Sequence, residues 1–263
     1  MKLQVLLSAM FLLDEGYIDS LGITGDAVVI NQCDRETEYE AVRRNRLGEE
    51  QKVTYVECQE RGLSKSRNLA ISKAVADICI LCDNDVEYVE DYERRILDAF
   101  DRHPDADLIV FYIQRKEKPK PNYDRSKRMS YLSVLKIFSP EIAFRRNSIA
   151  GIHMNESFGA GAKYIMGEEN IFLYDCLKKG LKIYYEPVKI ATLREEESTW
   201  FKGYDEGFFI SRGANYAAMS RVFSYVLILQ FALRKKALYK DNLTTRDTIR
   251  LMLKGRRDYL LKG

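Results

Sequence analysis

Two carboxylates one residue apart, in Asp83-Asn84-Asp85, close an apolar run from Ile78 to Cys82. Charge at the C-terminal end of a buried strand is costly without a partner, and a divalent cation is the simplest partner for paired carboxylates. Just upstream, Arg61-Gly62-Leu63-Ser64-Lys65-Ser66 forms a polar turn before a helical pattern that carries Arg67 and Asn68. Carboxylates, a guanidinium and a helix N-terminus at one sheet edge would suit a metal-chelated diphosphate. Asp and Asn are also ordinary turn residues, so the acidic turn alone is compatible with a plain strand end. A second acidic group, Glu168-Glu169-Asn170 behind Gly167, opens another helical pattern further along.

The elements that must position these groups alternate through the first 113 residues. Lys2 to Ala9 and Asp26 to Ile30 are continuous apolar runs, as in strands buried on both faces, and Val53 to Cys58 reads as a third strand. Thr37 to Arg46 has helical composition. Ser64 or Ser66 caps a helix whose inner face is Leu69, Ile71, Ala74 and Val75. Asp77 to Cys82 reads as a strand, Val89 to Arg102 as an amphipathic helix and Leu108 to Ile113 as a fifth strand. Such alternation predicts an α/β protein built of right-handed βαβ units, with a mostly parallel sheet flanked by helices. Ligands of open α/β sheets sit outside the carboxyl ends of strands. Three of those ends are polar, at Ser8, at Asn31-Gln32-Cys33-Asp34 and at Asp83 to Asp85, and they should converge on one crevice.

Arg115 to Ser130 is a charged, proline-containing loop. Beyond it Leu132 to Phe138 reads as a strand, Ile142 to Arg146 as a short element and Phe158 to Ala162 as a flexible glycine loop. Glu168 to Lys179 reads as a helix ended by Gly180, and Leu181 to Glu186 as a strand. Arg194 to Gly213 is polar, aromatic and glycine-punctuated, which suits a mobile lid. Its Trp200, Lys202 and Arg212 would close over a bound ligand, with plain surface packing as the alternative. A long helix over Ala214 to Leu238 and a last one over Thr244 to Leu261 follow.

At 46% apolar and 31% charged residues, the 263-residue chain has the composition of an ordinary globular protein. Its net charge of +3 is unevenly spread: from Arg234 to Gly263 ten Lys/Arg face three Asp, which is +7 and leaves −4 for the rest. A basic tail of this kind suits an anionic surface. Five cysteines, an odd number, fit buried free thiols in a reducing compartment. Cys79 and Cys82 sit mid-strand and point to opposite faces, which disfavours zinc. The opening MKLQVLLSAMFLL lacks a basic n-region and a cleavage site and reads as a strand. No apolar run reaches the roughly 18 residues of a membrane span, so a cytoplasmic protein is expected.

The order Gly62, Ser64, Arg67, Asn68, then a helix, an apolar strand and Asp83-x-Asp85 resembles glycosyltransferase family 2, whose fold is termed GT-A. Gly167-Glu168-Glu169, followed by a helix, a glycine and KIYYEP, resembles the family's G-E-D segment. The resemblance implies a metal-dependent inverting glycosyltransferase that uses Mn2+ or Mg2+ and a nucleoside-diphosphate sugar. It implies Asp85 as metal ligand with Asp83 beside it toward the ribose and diphosphate, and Glu169 as catalytic base with Glu168 as its rival. Ser8, Asn31, Gln32, Asp34, Gly62, Ser64, Arg67, Asn68 and Asn84 would surround the donor. The chain departs from the family at Ser8-Ala9-Met10, at Asn31 to Asp34 and at Glu169, where aspartate is usual, and the first two departures leave the base open. On this reading residues 1–113 bind the nucleotide sugar, 114–193 bind the acceptor in the same GT-A domain, and 194–263 form the lid segment and basic helices. The acceptor would be a saccharide or a lipid-linked saccharide in cell-surface polysaccharide synthesis, with no nucleic acid involved. The basic C-terminal helices would either pack on the body or rest on the inner face of the membrane. A sugar-nucleotide-forming nucleotidyltransferase would want a glycine-rich basic loop after the first strand, where residues 8 to 16 offer one glycine and no basic residue. A non-catalytic, membrane-docking relative would have no use for two intact acidic motifs.

Overall fold

The computed structural model describes residues 1–12, 14–116, 118–194, 201 and 203–261. Among these, ten strands form: β1 (Leu3–Met10), β2 (Ala27–Gln32), β3 (Thr37–Arg44), β4 (Glu50–Cys58), β5 (Ile78–Asp83), β6 (Val86–Tyr88), β7 (Leu108–Gln114), β8 (Lys127–Arg128), β9 (Ile142–Arg145) and β10 (Ile183–Leu193). The α-helices are α1 (Tyr17–Ser20), α2 (Leu63–Lys73), α3 (Tyr92–Arg102), α4 (Glu168–Lys178), α5 (Glu206–Met219), α6 (Ser224–Arg234) and α7 (Thr245–Leu260). The chain makes two compact units. One comprises Met1–Arg61, Lys65–His153 and Cys176–Glu196, and the other Gly62–Ser64, Met154–Asp175 and Glu197–Gly263.

The first unit holds the sheet, in the order β3-β4-β2-β1-β5-β9-β7-β10-β6, with β8 on β10. Strands β4, β2, β1 and β5 are parallel. Strand β9 is antiparallel to both β5 and β7, so β7 and its parallel neighbour β10 run the same way as β1. Six of the ten strands thus share one direction. Alternation along each strand explains the core: Leu3, Val5, Leu7 and Ala9 join Val29, Ile80, Cys82 and the α3 residues Tyr92, Ile96, Ala99 and Phe100. Each fully buried Val, Leu, Ile or Phe among them contributes roughly 1.5–3 kcal/mol.

Four local expectations fail, each for a physical reason. Thr37 to Arg44 is a strand, not a helix. It pairs with β4 along its whole length, stacks Tyr39 on Tyr55 at 5.2 Å and keeps its charged residues on an exposed sheet edge. Leu132 to Phe138 is a turn with a 3-10 segment at Val134–Lys136, because the Ser133 amide donates to the Ser130 carbonyl and the Ser130 amide to Ser133 Oγ. Helix α2 buries Ser66, Arg67 and Ala70, and just past its end Ala74 is buried while Val75 is 78% exposed. Small and polar residues let this helix lie close to the sheet, where Arg67 finds a carboxylate. The helix expected over Ala214 to Leu238 is broken at Ser220, whose backbone is extended and whose Oγ accepts from the Phe223 amide.

The second unit contains α5, α6 and α7. Helices α5 and α7 meet backbone to backbone: a Cβ on Gly213 would lie 1.9 Å from the Met252 carbonyl oxygen, and one on Gly255 would lie 1.9 Å from that of Ile210. Residues 206–213, expected within a lid, therefore belong to a packed helix, while 195–200 and 202 lie outside the described residues. Gly255→Ala gains roughly 1 kcal/mol of helix propensity but must push the two helix backbones away from each other, which costs about 3 kcal/mol. Urea unfolding should therefore show a net loss near 2 kcal/mol. A variant as stable as the parent would show that the two helices separate freely.

Candidate active site

The sheet register brings the polar strand ends together within the first unit. Ser8 is level with Asp83 on one side and Ile30 on the other, and Met10 is level with Gln32. Alternation then sorts the side chains. On the α2 face, Ser66 Oγ donates to Ser8 Oγ at 2.9 Å, and Arg67 Nη2 donates to both Asp83 carboxylate oxygens at 2.8 and 3.0 Å. The Arg67 side chain is 1% exposed and that of Asp83 17%. Removing either partner of a pair this buried costs about 3–5 kcal/mol, because the other charge is left uncompensated. Beyond Asp83 the backbone is held from two directions. Tyr17 Oη donates to the Asn84 carbonyl at 2.7 Å and the Arg194 amide to the Asp85 carbonyl at 2.7 Å. The Oδ1 atom of Asp85 is buried in this turn.

Asn31 lies on the other face, one residue out of phase with Gln32. Its Oδ1 accepts from the Leu12 amide at 2.9 Å, and its Nδ2 donates to the Leu12 carbonyl at 3.2 Å and toward Glu57 Oε1 at 3.4 Å. Asn31, Glu57, Arg35, Tyr39 and Tyr55 line a cleft of about 240 Å³. Burial alone would raise the Glu57 carboxyl, but hydrogen bonds from Thr37, Arg35 and Asn31 outweigh it and hold the group below its ordinary 4.5. Glu57 thus remains an acceptor at neutral pH. Tyr39 Oη donates to Glu15 at 2.7 Å, and that bond, with burial, pushes the phenol up to about 12. Gln32 turns away and donates to the Glu60 carbonyl at 2.7 Å. Arg61 ties β2 to β4, donating to the carbonyls of Cys33, Cys58 and Gln59 and to the exposed Asp34 carboxylate at 2.8 Å. Its guanidinium covers the ring of Phe11, a non-glycine residue with φ of +52° at the end of β1. Such a backbone conformation is uncommon for a bulky side chain and concentrates at functional loops.

In the second unit, Gly62 and Ser64 join the glycine loop. The Leu63 amide donates to the Ala160 carbonyl at 3.0 Å and Ser64 Oγ to that of Phe158 at 2.7 Å. Gly161 approaches the Gly62 backbone so closely that a Cβ would sit 3.4 Å from its Cα. A Cβ on Gly159 would meet both the Glu168 carboxylate and Ser64 Oγ at about 3.3 Å, so those two groups lie side by side against a bare backbone. Glu168 is buried and Glu169 half-buried, both in the first turn of α4, where negative charge is favoured. Gly167 turns the chain into that helix with φ of +91°. Asn215 of α5, fully buried, donates to the Gly167 carbonyl at 2.8 Å, and Ser211 Oγ accepts from the Ile165 amide at 3.3 Å. A side chain at 167 would collide with Asn215 at 2.2 Å.

Of the remaining candidates, Asn68 is half-buried on α2. Arg212 packs its guanidinium over the rings of Phe208, Tyr216 and Phe231, 5.4 to 5.9 Å from their centroids. Trp200 and Lys202 lie outside the described residues. Among the described residues no group of three or more His, Cys, Asp or Glu is arranged to hold a metal ion. Both Asp83 oxygens accept from Arg67, so a hard cation such as Mg2+ or Mn2+, which accepts one or two carboxylates and takes further oxygens from phosphates and water, would draw on Asp85 at this strand end.

Fold and site together define an α/β protein that gathers charged groups at the carboxyl edge of a largely parallel sheet, as proteins that bind nucleotides do. Residues 26–162, just over half of the chain, match the family described as Glycosyl transferase family 2, and the chain belongs to that family. The match contains Asp83 to Asp85 and stops short of Glu168 and Glu169. No curated protein matches the sequence. Among solved structures, residues 1–349 of S. aureus TarS share 13% identity with a TM-score of 0.58, covering 100% of this chain and 92% of that one. The same TarS fragment in complex with UDP-GlcNAc shares 15% at a TM-score of 0.62, with 92% and 74% covered. A mannosyltransferase, PcManGT from Pyrobaculum calidifontis, in complex with GDP-Man and Mn2+, shares 11% at 0.53, with 100% and 76% covered. At such identities the likeness establishes the fold, which is GT-A.

Tyr17, Arg194, Glu57 and Asn215 all hold elements of the site and carry no local signal in the sequence, because each acts on residues remote along the chain. Asn215→Ala deletes a buried bond to the backbone that opens α4 and should lower stability by about 1–3 kcal/mol. Asn215→Asp should lower it further, since a carboxylate has no N–H to offer the Gly167 carbonyl. Urea midpoints of the three proteins rank these effects. An Asp variant as stable as the parent would show that the bond carries no weight.

Proposed function

We propose that this protein is a metal-dependent, inverting glycosyltransferase that moves a sugar from a nucleoside diphosphate to a hydroxyl of a saccharide or lipid-linked saccharide. The setting would be cell-surface polysaccharide synthesis at the cytoplasmic face of the membrane. The observation that carries the reading is the Asp83-Asn84-Asp85 turn, fixed at the carboxyl ends of β1, β2 and β5 within a member of this family. The solved relatives that hold UDP-GlcNAc and GDP-Man support the donor class.

In this mechanism the cleft at Asn31 and Glu57 takes the nucleobase, while Gln32, bonded to the Glu60 carbonyl, and Asp34, paired with Arg61, hold the chain beside it. Arg67 positions Asp83, which faces the ribose and diphosphate beside Ser8, Asn68 and Asn84. Asp85 would hold Mg2+ or Mn2+, which when bound would neutralise charge building on the departing diphosphate. Gly62 and Ser64 shape the backbone around the diphosphate. The acceptor oxygen bonds to the anomeric carbon as the bond from that carbon to the phosphate oxygen breaks. Glu169 takes the acceptor proton, a contribution of typically ~10²–10⁴-fold. Glu168, packed against Gly159, supports the turn that presents Glu169. A single displacement with no covalent intermediate inverts the anomeric centre.

Two substitutions test the assignment. Asp85→Ala should abolish metal-dependent hydrolysis or transfer of UDP-, GDP- or dTDP-sugars, and undiminished turnover would remove Asp85 from the metal site. Glu169→Gln should keep the melting shift that a nucleotide sugar with Mn2+ produces while losing transfer. If that variant loses donor binding instead, Glu169 is not the base.

A further inference from the structure

Helix α6 is apolar on two opposite sides. Ser224, Leu227, Ile228 and Ala232 are buried within the second unit. Val222, just before the helix, and Val226, Leu229 and Leu233 recur at spacings of four, three and four residues, which places them on one stripe. They are 78%, 59%, 50% and 68% exposed. A surface helix of a globular protein normally turns charged or polar residues outward, and one that is apolar all round is normally covered. The stripe is bracketed by exposed cations, Arg221 at one end and Arg234, Lys235 and Lys236 at the other. From Arg221 to Lys240 the sequence contains no Asp or Glu.

The neighbouring helix adds to the same charge. Arg246, Arg250, Lys254 and Arg257 lie at helical spacing on the exposed side of α7, opposite the buried Thr248, Met252 and Gly255. Of all these cations only Arg257 has an ion pair among the described residues, with Asp258 at 3.8 Å. Arg256 fastens α7 to α6, donating to Ser224 Oγ and to the Arg221 carbonyl at 2.9 Å while covering the ring of Tyr225. Arg256 thus holds the two helices side by side. Among the described residues no helix is long and apolar enough to cross a membrane.

From this combination we infer that α6 and α7 form a docking surface for an anionic lipid bilayer, with Val222, Val226, Leu229 and Leu233 entering the headgroup boundary and the surrounding Lys and Arg held by lipid phosphates. An interfacial helix needs an apolar face together with cations that reach acidic headgroups, and both are present. Charge complementarity selects the occupant, since a second copy of this chain would bring +7 of like charge against the same tail. The surface would supply the lipid setting of the acceptor proposed above, but its test reads binding without any sugar transfer.

The full chain should co-sediment with phosphatidylglycerol-containing vesicles and not with pure phosphatidylcholine vesicles, and high salt should release it. Leu229→Asp with Leu233→Asp should weaken binding by about tenfold or more. Replacing Arg234, Lys235 and Lys236 by Glu should weaken it further, at roughly fivefold for each cation lost. All replaced side chains are exposed, so melting temperatures should match the parent and separate lost docking from lost folding. No binding to anionic vesicles, equal binding to neutral ones, or binding unchanged by both sets of substitutions would overturn the proposal. So would a dimer in light scattering that Leu229→Asp converts to monomer, because the stripe would then be an interface between copies.

Discussion

A guanidinium removed almost entirely from water can be kept in a folded protein only if a carboxylate goes with it. Arg67 and Asp83 meet that condition, and much of the first unit follows from it. The pair ties α2 to the last residue of β5, which is why that helix buries serines and Ala70, with Val75 left outside just past its end. Ser66 and Ser8 continue the polar contact to the next strand. The result is a helix seated on a sheet through charge and hydrogen bonds at the edge where the strands end. Under the proposed function, the donor's phosphates would meet dipoles already fixed in place, with little reorganisation left to perform.

The second unit is organised by the absence of side chains. Gly213 and Gly255 let two helices touch along their backbones, and Gly159, Gly161 and Gly62 let a loop close around a carboxylate and a hydroxyl. Where a Cβ is missing, polar groups come within hydrogen-bonding distance, as when Asn215 reaches the carbonyl of Gly167. Stability here comes from close approach more than from large buried side chains, so the tolerance for added atoms is small.

The α/β class, the parallel core strands and the gathering of Ser8, Asn31 and Asp83 at one sheet edge were legible from hydrophobic runs and their polar ends. The helix over Thr37 to Arg46 was not, because Glu, Ala and Arg favour helices in isolation while the open edge of β4 offered a full ladder of partners. The inner face of α2 was misread for a related reason: apolar periodicity assumes a greasy interface, and this helix has a polar one. The acidic turn after β5 stood out as paired charge at a strand end, and the segment at Gly167 to Glu169 through its resemblance to the family. Their supports did not, since Tyr17, Arg194 and Asn215 each reach across dozens of residues that no local pattern connects.

Unit boundaries fall in unusual places. The helical unit draws on three separate stretches of chain, the first only three residues long, and its helix α5 supplies the amide that steadies the start of α4. Neither unit is a contiguous module that can be cut out at a linker and moved to another protein. A shortened chain ending before α5 would keep every strand and both acidic motifs in its sequence, yet lose the scaffold of one of them. Recombination among such enzymes would then have to exchange the chain nearly whole, and new specificities would arise in loops and side chains more readily than by swapping domains.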